Sequence, residues 1–101
     1  MRTNRRRLEP ILHDLRVLLP ELRDRYAVDT LEVFGSRVRR DASGSSDVDV
    51  LATFTETPDL LTFIALEDEL SEKLGVEVDL VMRRSLKPRL RDRILAEAIP
   101  V

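Results

Sequence analysis

The 101-residue chain has no cysteine and no tryptophan, and it has only one tyrosine, one histidine and three glycines. Without cysteine it can form neither disulfides nor thiolate metal sites. Aromatic residues make up 4% of the chain, leaving few platforms on which the bases of a single-stranded nucleic acid could stack. Direct nucleic-acid binding is therefore not expected. No apolar run approaches the roughly 20 residues that span a bilayer. The basic start, Arg2 and Arg5 to Arg7, leads into an amphipathic stretch with Glu9, His13, Asp14 and Arg16, unlike the apolar centre of a signal peptide. The expectation is a cytoplasmic protein with no membrane association. Repeats, low-complexity tracts and long linkers are also missing, so one domain over residues 1–101 is expected.

What is present is enough apolar residue, 43%, for one core, in a chain of a size that buries roughly 65% of its unfolded surface. Net charge is only −2, but it is unevenly distributed. From Asp41 through Asp79 the only Lys or Arg is Lys73, while bases gather in Arg2 to Arg7 and in Arg83, Arg84, Lys87, Arg89, Arg91 and Arg93. Each cluster reads equally as a solvated face or, for the C-terminal bases, as a surface for phosphates or an acidic partner.

Periodicity divides the chain further. Leu8, Ile11, Leu12, Leu15, Leu18 and Leu19 have helical spacing over residues 4–18, and Pro20 suits the first turn of a second short helix to about Tyr26. His13 falls off the apolar stripe and reads as a surface residue. Thr30 to Phe34 alternates as a first strand, and residues 36–40 could form one helical turn. Asp47 to Phe54 reads as a second strand. Thr57 is placed to cap a helix with Pro58 at its first position, running to Leu74 and ending at Gly75. Val76 to Met82 is a third strand, and Leu86, Leu90, Ile94, Leu95 and Ala98 give a last helix with Pro88 in its first turn. The order predicts an α+β fold, a small mixed sheet of three or four strands flanked by helices.

The chemistry concentrates where the first strand ends. Val33-Phe34-Gly35-Ser36 is followed, after ten residues, by Asp47-Val48-Asp49-Val50. Alternate residues of a strand share a face, so Asp47 and Asp49 stand side by side and repel unless a cation joins them. Hard cations such as Mg²⁺ take carboxylate and phosphate oxygens. The Gly35-Ser36 corner offers a residue without Cβ for close approach, a hydroxyl and backbone N–H groups. A third carboxylate, Asp79, interrupts the apolar strand Val76 to Val81. Alone it reads as a solvated position. If its strand lies beside the Asp47–Asp49 strand, three carboxylates converge, matching two divalent ions and an activated hydroxyl.

The run Phe34-Gly35-Ser36, ten residues, then Asp47-Val48-Asp49-Val50 resembles the signature of the DNA-polymerase-β-like nucleotidyltransferases. The short length, Ser46-Asp47-Val48-Asp49, Val78-Asp79-Leu80-Val81 and the closing Leu86 to Leu95 are similar to the minimal nucleotidyltransferases within that superfamily. The resemblance implies a polymerase-β-like nucleotidyltransferase fold and transfer of a nucleoside monophosphate from a triphosphate with Mg²⁺, two ions being expected. Members often serve as antitoxins paired with a HEPN-domain ribonuclease toxin. In that pairing the resemblance implies AMP transfer from ATP to a tyrosine hydroxyl of the toxin. By position, Asp47, Asp49 and Asp79 would be catalytic and bind metal, while Gly35, Ser36, Arg39 and Ser46 would bind nucleotide. A glycine is usual after the arginine at position 39, where this chain has Arg40; Gly44 could do that work instead.

Two rival functions remain open at the level of residues. The chain could be a binding module that neutralises its partner by contact, with a vestigial nucleotide site. It could also modify a small molecule or tRNA, although so short a chain leaves no separate acceptor domain.

Overall fold

The structure is a computed structural model and describes residues 8–35 and 48–101. Its first element, α1 (Leu8–Tyr26), buries Ile11, Leu12, Leu15, Leu19 and Leu22. The break expected at Pro20 does not occur: Pro20 lies inside one continuous helix. An interior proline forfeits a helical hydrogen bond and crowds the preceding turn, at about 3 kcal/mol. Leu15, Leu19 and Leu22 are spaced to share one stripe, and their burial contributes about 1.5–3 kcal/mol each. That stripe stays in phase only if the helix runs through the proline, which is exposed on the opposite side with Arg16 and Val17.

Ala27 ends the helix with φ of 59°, in the left-handed region where glycine is usual. Its carbonyl accepts from both the N–H of Thr55 at 2.8 Å and the Thr55 hydroxyl at 3.2 Å. Strand β1 (Val28–Phe34) begins two residues earlier than its alternation suggests. A register shift between Val28 and Thr30 leaves Asp29 and Thr30 both exposed, which hides the start of the strand from a two-residue period.

Strand β2 (Val48–Phe54) is joined by α2 (Leu60–Leu74) to β3 (Val78–Met82). The helical crossover returns the chain to the same end of the sheet, so β2 and β3 pair in parallel. The cap of α2 differs from the expected Thr57. Asp59, with extended backbone, accepts the Thr62 N–H at 2.8 Å and starts the helix at Leu60. The Thr57 hydroxyl instead accepts from Arg84 Nη1 at 2.7 Å. Gly75 closes the helix at φ of 72°, donating its N–H to the Ser71 carbonyl, as expected. Of the apolar residues of α2, Leu66, Leu70 and Leu74 reach the core, whereas Leu60, Leu61 and Ile64 are exposed.

A 3-10 turn (Arg83–Ser85) precedes α3 (Pro88–Glu97), and β4 (Ile99–Pro100) completes a sheet of order β3-β2-β1-β4. Strand β4 pairs antiparallel with β1, as does β2, so the sheet is mixed. One face carries the core: Leu31, Val33, Val48, Val50, Ala52, Val78 and Leu80 packed against α1 and α2. Alternation places Thr30, Glu32, Phe34, Asp49, Leu51, Thr53, Asp79 and Val81 on the other face. The 3-10 turn contacts β2 and α3 contacts β1, but α3 buries none of its side chains completely. Among the described residues no helix is long and apolar enough to cross a membrane.

Candidate active site

The second face of the sheet presents a row of in-register residues. Phe34 of β1 pairs with Asp49 of β2, and Asp49 pairs with Asp79 of β3. Adjacent strands lie about 4.8 Å apart, so the two aspartates stand as neighbours on one face. The strand adjacency on which the third carboxylate depended is present. Asp49 is half-buried and Asp79 exposed.

Gly35 follows Phe34 directly and turns the chain at φ of 86°. A Cβ on this residue would stand 2.9 Å from Asp49 Cγ, and closer still to Oδ2. The absent side chain thus makes room first for the Asp49 carboxylate. Backbone and carboxylate can lie in contact here because position 35 is glycine.

The electrostatics are those of an acidic site. The Asp79 carboxyl is pushed above its ordinary range, chiefly because the sheet removes part of it from water, and then because Asp49, Glu67 and Glu77 bring negative charge. Such a pair is relieved by a hard divalent cation, which takes carboxylate oxygens and shares them with phosphates. Among the described residues, Asp49 and Asp79 do not complete a three-ligand metal cluster. Asp47, the third carboxylate expected there, lies outside the described residues, as do Ser36, Arg39 and Ser46. The donor set that is described fits Mg²⁺ in kind: oxygen ligands, in register, against a backbone position without a side chain.

Other polar groups are engaged elsewhere. Tyr26 donates to Glu69 Oε1 at 2.7 Å, and Arg25 bridges Glu69 and Glu21 at 2.7 and 2.8 Å. The Tyr26 hydroxyl is pushed up by its bond to the Glu69 carboxylate, so it is held protonated, while Glu69 is pushed down by the same bond. Arg25, Tyr26 and Glu69 line a shallow groove with Ala65, Asp68 and Lys73 that shares no residue with the carboxylate row. His13 is exposed on α1. Sequence reasoning missed Glu67 and Ser71 of α2, whose side chains accept the Leu80 and Val78 N–H groups on either side of Asp79. Only their spacing of one helical turn hinted at a shared face.

The nucleotidyltransferase domain family model matches residues 15–101. The protein adenylyltransferase MntA of Thermococcus cleftensis is 47% identical over 94 residues, covering 93% of this chain and 95% of its own length. A solved minimal nucleotidyltransferase superposes with a TM-score of 0.77 at 38% identity, over 98% of this chain and 100% of the other. The fold is also shared with a solved Shewanella oneidensis MNT antitoxin in complex with its tri-AMPylated HEPN toxin. There the TM-score is 0.65 at 22% identity, over 89% of this chain and 70% of that one.

Proposed function

Because this chain belongs to the nucleotidyltransferase domain family, we propose that it transfers AMP from ATP to a protein hydroxyl. The acceptor is a tyrosine of a HEPN-domain ribonuclease toxin, and the chain acts as that toxin's antitoxin in a hetero-oligomer. The observation that carries the reading is the register of Asp49 with Asp79 beside Gly35. The activity of the Thermococcus relative and the partner of the Shewanella antitoxin support the choice of donor and acceptor.

The reaction is in-line attack of the acceptor oxygen on the α-phosphorus of ATP. An oxygen–phosphorus bond forms, the bond to pyrophosphate breaks, and the hydroxyl proton passes to a carboxylate. Positioning and charge neutralisation dominate such transfers, so no nucleophilic side chain of this chain is required. Asp49 and Asp79, with Asp47, are the residues that would hold Mg²⁺. When bound, the ion neutralises the carboxylates and the triphosphate together. Gly35 keeps the backbone close to Asp49, and the nucleotide-binding roles of Gly35, Ser36, Arg39 and Ser46 are assigned by their positions in the sequence motif. Asp79, in register beside Asp49, takes the proton of the attacking hydroxyl.

Labelled ATP, Mg²⁺ and the purified partner test this directly. Wild-type protein labels the partner, and Asp47→Ala and Asp49→Ala do not, while both variants keep their circular dichroism spectrum. Undiminished labelling by both variants would refute the assignment.

A further inference from the structure

Among the described residues strand β3 lies at the edge of the sheet, with no strand paired to the N–H groups on its outer side. Two of them are taken by α2. The Val78 N–H donates to Ser71 Oγ at 3.0 Å, and the Leu80 N–H donates to Glu67 Oε2 at 2.8 Å. Glu67 and Ser71 are four residues apart and so share a helix face, while Val78 and Leu80 are two apart and share the strand's outer edge. The residue between Val78 and Leu80 is Asp79, whose Cα pairs with that of Asp49 on the inner side.

We propose that Glu67 and Ser71 are positioning residues for Asp79. Together they clamp the five-residue strand so that its one carboxylate stays opposite Asp49. The inference rests on the functional reading above and names two of its supports.

The physical case has two parts. A slip of β3 by one residue would exchange the face of every side chain and replace Asp79 by Val78 or Leu80. Pairing on one side alone specifies the register of a short parallel edge weakly. Bonds from α2 to two particular N–H groups, on either side of Asp79, specify it from the other side. The second part concerns the choice of acceptor. A hydroxyl or amide would cover the edge equally well, yet Glu67 brings a further negative charge that acts on Asp79. Mere covering of the edge does not call for a charged acceptor there. A strong, charge-assisted hydrogen bond that holds the backbone does.

The test uses the full chain with Glu67→Ala, Ser71→Ala, the double variant, and Glu67→Gln, whose amide oxygen can accept the same bond. Amide hydrogen exchange at Val78 and Leu80 reports the clamp. Mn²⁺ titration, followed by relaxation of the Asp49 and Asp79 amides, reports the site without any turnover. The double variant is expected to exchange faster at both amides and to bind Mn²⁺ about 10-fold more weakly. Its Mg²⁺ requirement for AMP transfer should rise in parallel, with kcat at saturating Mg²⁺ close to wild type. Glu67→Gln, whose bond is not charge-assisted, should recover part of the lost exchange protection and affinity, and Ser71→Ala, which deletes one hydroxyl, should show the double variant's pattern at smaller size. Faster exchange with unchanged Mn²⁺ affinity would overturn the positioning role and leave the functional reading intact. A wild-type protein that binds no Mn²⁺ at Asp49 and Asp79 would overturn both.

Discussion

Replacing Gly35 by alanine separates two costs that the structure assigns to one position. The first is conformational: at φ of 86° an L-residue is strained by about 1–2 kcal/mol. The second is steric, because the new methyl would stand 2.9 Å from Asp49 Cγ and 3.2 Å from its Cβ. Overpacking of this kind costs about 1–3 kcal/mol. A total near 3 kcal/mol is a large part of the about 5–15 kcal/mol that holds a domain of this length together. It lowers Tm by about 12–24 °C. Gly75→Ala is the internal control, since φ there is 72° but nothing lies within 4 Å of the added Cβ. That variant bears the conformational cost alone, about 1–2 kcal/mol or about 4–16 °C. The two also differ in function. Displacing Asp49 by about 1 Å costs on the order of 10²-fold in transfer, whereas Gly75→Ala leaves the rate unchanged at a temperature where it is folded. Differential scanning calorimetry and initial rates with labelled ATP measure both quantities. Equal Tm losses in the two variants, with transfer by Gly35→Ala intact, would refute the contact between Gly35 and Asp49.

Three further outcomes follow from single residues. Ala27→Gly removes the left-handed strain at the end of α1 and raises stability by up to about 1 kcal/mol, read as a higher urea midpoint at unchanged slope. Asp79 has its folded pKa above its unfolded value, so the metal-free protein loses stability as pH rises from 3.8 through the folded pKa. Asp79→Asn should therefore raise Tm of the metal-free protein at pH 7, flatten that pH dependence, and abolish transfer; a lower Tm would contradict the repulsion. Asp59 is shifted the other way by the Thr62 N–H, so the charge-dependent part of its capping contribution is complete above 3.8 and is lost as pH falls through its lower folded pKa. The Tm gap between wild type and Asp59→Ala should accordingly narrow in acid, with Asp59→Asn keeping the cap at neutral pH.

Much of the site was legible because its residues break local rules. Asp49 and Asp79 are carboxylates inside apolar, strand-like runs, and Gly35 ends another, so each is conspicuous without a structure. Their register was not legible: two-residue alternation says which face a side chain takes, but says nothing about which strands are neighbours. The order β3-β2-β1-β4 emerges only when α1 and α2 cover one face and the helical crossover makes β2 and β3 parallel. At Pro20, local propensity pointed to a break and lost to the burial of leucines on both sides. At Thr57-Pro58-Asp59 two residues could cap a helix, and the choice depended on Arg84, 27 positions away from Thr57, engaging the threonine hydroxyl. The hydrogen bonds from Glu67 and Ser71 to β3 are likewise tertiary, and no period of the sequence encodes them.

The central claim is that the Asp49 and Asp79 row moves AMP onto a hydroxyl of a protein partner. Its most direct measurement is the intact mass of a HEPN-domain partner co-expressed with wild-type protein or with Asp49→Asn, followed by peptide mapping. The prediction is added AMP on a tyrosine of the partner with wild type and an unmodified partner with the variant. A partner that carries no AMP in either case, yet is neutralised equally by both proteins, would contradict the account and make this chain an antitoxin by contact alone.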